Sequence, residues 1–176
     1  NQREAGKVER TIEPLELAQV LREQLEFFQG QAERSGVRLV LEADGAFTVR
    51  ADRKDLDRIF MNLLSNAVKY NRPQGVLTVR LRRDGEATLV QVADTGFGMS
   101  PQEMEGLFQD FYRVKNPQTA AVPGTGLGLA TVKRVLREYA GDISVESEPG
   151  VGSTFTVRLP SPSSGRSAPL PSVPAR

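Results

Sequence analysis

Apolar positions recur at helical spacing in three stretches of the chain. In the first, Leu17, Val20, Leu21, Leu25 and Phe28 make one face. The spacing predicts a helix that opens at Glu13-Pro14, with Pro in its first turn, and ends at Ser35-Gly36, where Gly supplies a left-handed cap. In the second, Leu56, Ile59, Phe60, Leu63, Leu64, Ala67 and Val68 fill a complete buried stripe. Asp52 caps this helix, and Asp55 lies in its first turn near the positive end of the dipole. Asn62, Asn66 and Lys69 follow each other along the same helix. At roughly 100° per residue they form a second stripe about 60° wide, so the helix is half core and half polar rail. In the third stretch, Leu129, Val132, Leu136 and Tyr139 predict a helix over 127–139, capped by Gly141.

Six shorter stretches read as strands. Residues 37–42 and 46–50 lie between the first two helices. Residues 76–83 and 86–93 form a hairpin around Asp84-Gly85, in which Leu77, Val79 and Leu81 alternate with Thr78, Arg80 and Arg82. Residues 143–147 and 153–159 close the chain as a second hairpin. A short helix is expected after Ser100-Pro101, and 112–123 read as a mobile loop. Strands and helices alternate, but the hairpins make pairs antiparallel. The expected class is α+β, a two-layer sandwich with a mixed, mostly antiparallel sheet backed by helices. This orderly part spans 11–160. Residues 1–10 are charged and lack a core stripe, and 161–176 form a Ser/Pro-rich tail expected to be disordered.

Composition narrows the chemistry. The 176 residues are 39% hydrophobic and 26% charged, an ordinary globular balance for one domain. Net charge is +1, so no bulk pull toward nucleic acid or an anionic membrane follows. No apolar run reaches the ~18 residues of a membrane span. The chain has neither Cys nor His. That removes disulfides, thiolate zinc sites, His-ligated metals, cysteine nucleophiles and any imidazole acid or base. The first residue is Asn1, so a fragment or a processed product is expected.

Three glycine-rich segments remain: 94–99 (DTGFGM) at a strand end, 124–129 (GTGLGL) at a helix start, and 150–154 (GVGST) between strands. Each serves as a turn on the plainest reading. Alternating glycines opening a helix also leave free N–H donors that suit phosphate. The dinucleotide fingerprint GxGxxG is absent, since Leu129 and Pro101 stand where its third glycine would be needed, and the P-loop pattern, GxxxxGK followed by Ser or Thr, is absent as well. Asp94 either starts a turn or accepts a hydrogen bond from an exocyclic amine. The rail is either a solvated face or a hard-ligand set in which amide oxygens meet Mg²⁺ and Lys69 meets a phosphate. Arg113, beyond the aromatic cluster Phe108, Phe111 and Tyr112, carries a fork that suits phosphate oxygens.

Five segments in order, NLLSNAVKY (62–70), DTGFGM (94–99), FQDFYRV (108–114), GTGLGL (124–129) and GVGSTF (150–155), resemble the N, first glycine, F, second glycine and third glycine boxes of the ATP-binding catalytic domain of two-component sensor histidine kinases. The resemblance covers about 11–160 and implies the Bergerat-type sandwich, with ATP and Mg²⁺ bound between the Asn-bearing helix and the loop acting as a lid. It implies that Asn66 binds Mg²⁺, that Asn62 and Lys69 position phosphates, and that Tyr70 lines the nucleotide. Asp94 takes the adenine amine with Thr154 in support, and Gly96, Gly98 and Met99 belong to the same box. Gly124, Thr125, Gly126, Leu127 and Gly128 form the phosphate end, and Arg113 approaches the γ-phosphate. Asn62 and Arg113 are then the catalytic candidates. The acceptor in this family is a histidine on a neighbouring dimerisation domain. This chain has none, so the acceptor domain is expected upstream, with 1–10 as the end of its second helix. A response regulator is the indirect partner. The domain is expected to be cytoplasmic and monomeric, touching neither nucleic acid nor membrane.

Asn71-Arg72-Pro73 departs from the Ser or Thr that follows the Tyr70 position in many members, and the lid stretch 120–123 is uncharged. The same sandwich serves ATPases that carry a general-base Glu at the place of Asn62, and an amide cannot abstract a proton. A degenerate binding module is the other alternative.

Overall fold

The computed structural model describes residues 9–120, 122 and 128–160. Seven strands and four helices are described: β1 (Glu13–Glu16), α1 (Leu17–Ser35), β2 (Val37–Ala43), β3 (Thr48–Ala51), α2 (Arg53–Lys69), β4 (Gly75–Asp84), β5 (Ala87–Asp94), α3 (Pro101–Met104), α4 (Gly128–Arg137), β6 (Asp142–Glu148) and β7 (Gly152–Pro160). Five strands form one sheet in the order β2-β4-β5-β7-β6, in which β2–β4 is the parallel pair and the other pairs are antiparallel. The core fills the space between this sheet and the helices. Phe60, Leu56, Ile59, Leu63 and Leu64 of α2 are fully buried against Leu17 and Leu21 of α1 and Leu77, Val79 and Val90 of the sheet. The apolar stripe read from the sequence is therefore the stripe that packs.

The start of the chain differs from expectation. Residues 13–16 form β1 instead of the first turn of α1, pairing antiparallel with β3 from Glu13↔Ala51 to Glu16↔Thr48. Glu16 is the N-cap: its carboxylate accepts from Ala18 N at 3.2 Å, Gln19 N at 3.1 Å and Phe47 N at 3.1 Å. Three donors on one carboxylate fix the helix start at Leu17, and Pro14, which lacks an N–H, sits in a short edge ribbon where no donor is lost. At the other end of α1, Gly36 (φ 74°) takes the left-handed cap as expected.

The expected cap at Gly141 also differs. The left-handed residue is Ala140 (φ 56°), while Gly141 N donates to Leu136 O at 2.9 Å. Gly141 is small for another reason: a Cβ there would lie 2.6 Å from Arg158 O on β7. The glycine serves close approach, and Ala140 carries the strained conformation.

An ion-pair cluster ties the chain's first described residues to α2 and to the residues just after α4. Asp55, with a side chain only 3% exposed, meets Arg10 Nε at 2.6 Å and Arg58 Nη1 at 3.3 Å. Tyr139 Oη donates to the same carboxylate, and burial pushes the Tyr139 phenol up to about 12. Thr11 N donates to the Asp52 carboxylate at 2.8 Å, which holds that carboxyl below its usual range.

Two stability tests follow. Ala140→Gly is expected to stabilise the chain by about 0.5–1 kcal/mol, the relief of a left-handed alanine less the added freedom of glycine when unfolded. Arg10→Met is expected to cost about 3 kcal/mol, because it removes the main partner of a buried carboxylate. Urea denaturation of both variants beside wild type checks each value.

Candidate nucleotide site

The polar rail of α2 borders a cleft of about 330 Å³. Asn62, Asn66, Lys69 and Tyr70 line one wall, each half-buried at the edge of the core stripe. Asp94, Ser153 and Phe155 form the floor where β5 ends beside β7. Phe97, Gly98 and Met99 close one side. Leu107, Tyr112, Arg113, Val114 and Thr119 form the opposite rim, and Gly128 and Leu129 bring the start of α4 to the far end. The volume falls within the range of small-molecule sites.

Asp94 ends β5, and its Oδ1 accepts from Gly96 N at 2.9 Å and from Ser153 N at 3.3 Å. Among the described residues, Oδ2 receives no hydrogen bond and the carboxylate has no cationic partner. Burial pushes Asp94 up to about 6, against the downward pull of those two backbone donors. A desolvated acceptor held with one oxygen unpartnered, in a cleft, is primed for a ligand donor.

Three glycines place this acceptor by letting backbones touch. A Cβ on Gly96 would lie 2.1 Å from Tyr70 O, one on Gly98 1.9 Å from Glu148 O, and one on Gly152 2.0 Å from Asp94 O. Phe97 N donates to Tyr70 O at 3.1 Å, and Gly150 N donates to Phe97 O at 2.7 Å. Gly96 thus shapes the site from behind the cleft without lining it. At the other end, Asn62 Nδ2 donates to Arg58 O at 2.5 Å, and a Cβ on Gly128 would lie 2.8 Å from Asn62 Oδ1. Small size at Gly128 lets α4 start directly over the rail.

The rim is braced internally. Ser100 and Glu103 make a reciprocal capping box at the start of α3. Asn116 Nδ2 donates to Glu103 Oε2 at 3.0 Å, and buried Thr119 donates to Val114 O at 2.7 Å. Arg113 lines the cleft while its Nη2 donates to Val122 O, so its fork also holds its own loop.

Most of the residues singled out from the sequence meet in this one cleft: Asn62, Asn66, Lys69, Tyr70, Asp94, Gly98, Met99, Arg113 and Gly128. Gly124, Thr125, Gly126 and Leu127 lie outside the described residues. Thr154 does not line the cleft, and its neighbour Ser153 does. Strand parity explains the correction: buried Phe155, Val157 and Leu159 set the inner face, so Ser153 points in and Thr154 falls on the outer face. The same alternation, visible in the sequence, could have found it. Phe97 and Thr119 carried no such signal.

Among the described residues no three carboxylates cluster as a metal site. A Mg²⁺ bound here would rely on amide oxygen from the rail and on phosphates. That donor set fits a hard cation that keeps waters and takes few protein ligands.

A two-layer sandwich with this cleft is the architecture of a known class, and residues 51–163 match it: the chain belongs to the family of histidine kinase-, DNA gyrase B- and HSP90-like ATPases. Within that family its relatives include named histidine kinases. The circadian input-output histidine kinase CikA of Synechococcus elongatus is 39% identical over 163 residues, covering 91% of this chain and 22% of the relative. The mycobacterial sensor histidine kinase MprB is 29% identical with a TM-score of 0.75, covering 84% of this chain and 97% of that structure. Full-length ShkA in complex with AMPPNP is 28% identical with a TM-score of 0.77, covering 87% of this chain and 32% of that one. The chain spans only 13% to 31% of the length of the first curated relatives it matches.

The raised pKa of Asp94 has a consequence for stability. Its folded value lies above the ordinary 3.8, so its stabilising contribution is full below pH 3.8 and is lost as pH rises through about 6. Asp94→Asn is expected to be more stable than wild type above that window and to lose the advantage below it. Denaturant midpoints on either side of the window check this.

Proposed function

We propose that this domain binds Mg-ATP in the cleft and donates the γ-phosphoryl group to a histidine on a separate dimerisation domain, as part of a two-component signalling kinase. The observation that carries the reading is the pairing of opposite chemistries along one cleft. Asp94 offers a desolvated acceptor at one end, and the rail with the start of α4 offers amides, an ammonium and a helix N-terminus at the other. An adenine amine suits the first and a phosphate chain the second. Family membership and the AMPPNP complex of a similar protein support it.

In this reading Asp94 Oδ2 accepts from the exocyclic amine, with Ser153 in the supporting place that the family resemblance implies for Thr154. Tyr70 and Met99 pack beside the base. Asn62 and Lys69 orient the phosphates, and Asn66 offers an amide oxygen to Mg²⁺. That ion would supply charge neutralisation to the phosphates. Arg113 turns from Val122 O toward the γ-phosphate. The chain itself positions groups and neutralises charge, which is most of what phosphoryl transfer requires. An imidazole nitrogen forms the new N–P bond as the bond to the ADP oxygen breaks. Since the chain has no His, that nitrogen comes from elsewhere. Asn62, an amide, does not activate water as a base, so the reading is transfer rather than steady hydrolysis. The response regulator is then an indirect partner. Among the described residues no helix is long and apolar enough to cross a membrane. We place the domain on the cytoplasmic side, monomeric when isolated, with no nucleic-acid or membrane contact of its own.

Calorimetric titration of a non-hydrolysable ATP analogue tests the reading. Binding is expected in wild type, tighter with Mg²⁺, and at least about tenfold weaker in Asp94→Ala, a loss of about 1.4 kcal/mol or more. The ionised carboxylate is the stronger acceptor for the amine, so affinity is expected to fall as pH drops through about 6. Asp94→Asn should lack that step, which separates it from titration of the phosphates. No binding by folded wild type overturns the assignment. If binding holds, adding the histidine-bearing domain in trans should yield phosphohistidine there and none on this chain.

A further inference from the structure

Arg72 stands in the stretch where the sequence departs from its family pattern, and its side chain bonds to both glycine loops around Asp94. So does Ser147 Oγ, which accepts from Met99 N at 2.8 Å and donates to Gly152 O at 3.0 Å, away from the carbonyls that Arg72 takes. Arg72 Nη2 donates to Gly96 O at 2.7 Å and to Gly150 O at 2.9 Å. Gly96 belongs to the loop after β5, and Gly150 to the turn between β6 and β7. Each loop also supplies one of the two N–H groups on Asp94 Oδ1: Gly96 N from the first, and Ser153 N just past the second. The guanidinium thus closes a ring of contacts from one loop, across to the other, and back through the Asp94 carboxylate.

The base of Arg72 is itself held. Buried Asn71 accepts from Arg72 N at 2.9 Å and from Thr95 Oγ1 at 3.1 Å, and donates to Val76 O at 3.1 Å. Gly75 is small because a Cβ there would lie 2.2 Å from Asn71 Oδ1. The backbone bonds that join the loops act at Phe97, and they leave the carbonyls of Gly96 and Gly150 without a tie. Arg72 supplies that tie. Its charge strengthens both bonds, and the planar guanidinium fixes the directions of the two Nη2 hydrogens that serve the two carbonyls, which a freely rotating ammonium does less well. Arg72 is solvent-exposed, so water competes for these bonds and their contribution to global stability is small. Their effect falls on the local geometry of Asp94.

We infer that Arg72 is a positioning residue for base selectivity: by strapping the two glycine loops together it keeps both N–H groups on Asp94 Oδ1 and leaves Oδ2 aimed at an amine donor. This rests on the nucleotide reading above. It concerns the base alone, because Arg72 bonds at the Asp94 end of the cleft, and the residues assigned to phosphate are on the rail, the lid and α4.

The test compares ATP with inosine triphosphate, which carries a keto oxygen where adenine has its amine. Dissociation constants are measured for both in wild type, Arg72→Ala and Arg72→Lys, with melting temperatures alongside. Wild type is expected to prefer ATP. In Arg72→Ala, ATP binding should weaken by about tenfold while inosine triphosphate changes by less than about twofold, so the preference collapses. Arg72→Lys should recover part of it, and gives the same comparison if the alanine variant unfolds. Equal losses for both nucleotides would mean a phosphate contact or a general structural role, and would overturn the inference. So would an unchanged preference in variants that still bind. If folded wild type binds neither nucleotide, the nucleotide reading itself fails and takes this one with it.

Discussion

The site depends on three stretches of backbone lying against one another at the C-terminal end of α2. The loop after β5 rests on the carbonyl of Tyr70, the β6–β7 turn rests on that loop, and the first residue of β7 rests on the carbonyl of Asp94. Each contact excludes a side chain, because a Cβ would sit about 2 Å from a carbonyl oxygen. These contacts bring Asp94 to the floor of the cleft with both backbone donors on one oxygen. They also register the end of α2 against the sheet, so the Asn and Lys of its rail face the same space. A side chain at any of the three glycines would wedge that space apart before it touched a ligand.

The same helix does two jobs because of where its stripes lie. Leu56, Ile59, Phe60, Leu63 and Leu64 are sunk in the core, which gives α2 little freedom to rotate or slide. Asn62, Asn66 and Lys69 ride on the edge of that buried face and inherit its rigidity. A polar group on a core-anchored helix is held more firmly than one on a loop, which matters when the task is to position phosphates rather than to bind them tightly. The rim at 105–120 has the opposite character. It is built of turns braced by single side chains such as Asn116 and Thr119, and its arginine holds its own loop.

The two ends of α2 are secured by different physics. At the C-terminal end the constraint is steric. At the N-terminal end it is electrostatic, where Asp52 and Asp55 gather Thr11 N, Arg10, Arg58 and the Tyr139 hydroxyl. A buried carboxylate with that many partners costs little once assembled and a good deal if one is removed. It also joins the segment leading into the domain to the helix that carries the rail and to the residues just after α4.

Much of this was legible in the sequence because local rules decided it. The stripe of α2, the caps at Asp52 and Gly36 and the two hairpins follow from periodicity and turn chemistry, which act over a few residues, although the first hairpin turns on Gly85-Glu86, with Asp84 paired to Ala87, rather than on Asp84-Gly85. The rail and Asp94 were visible as candidates for the same reason, though either could have been plain surface. What the sequence could not decide lay in contacts between distant segments. Pro14 looked like a helix start until β3 arrived to pair with β1. Gly141 looked like a cap, although its smallness answers to Arg158 O. Thr154 and Ser153 differ only in which face of β7 they take, and the inner face is set by the core beneath it. Arg72 had no local signature at all, since its two partners lie on loops brought together only by folding. Short-range spacing determines which elements form. Which side chains then meet depends on long-range packing, because a hydrogen bond needs its partners within about 3 Å and only the assembled sheet puts them there.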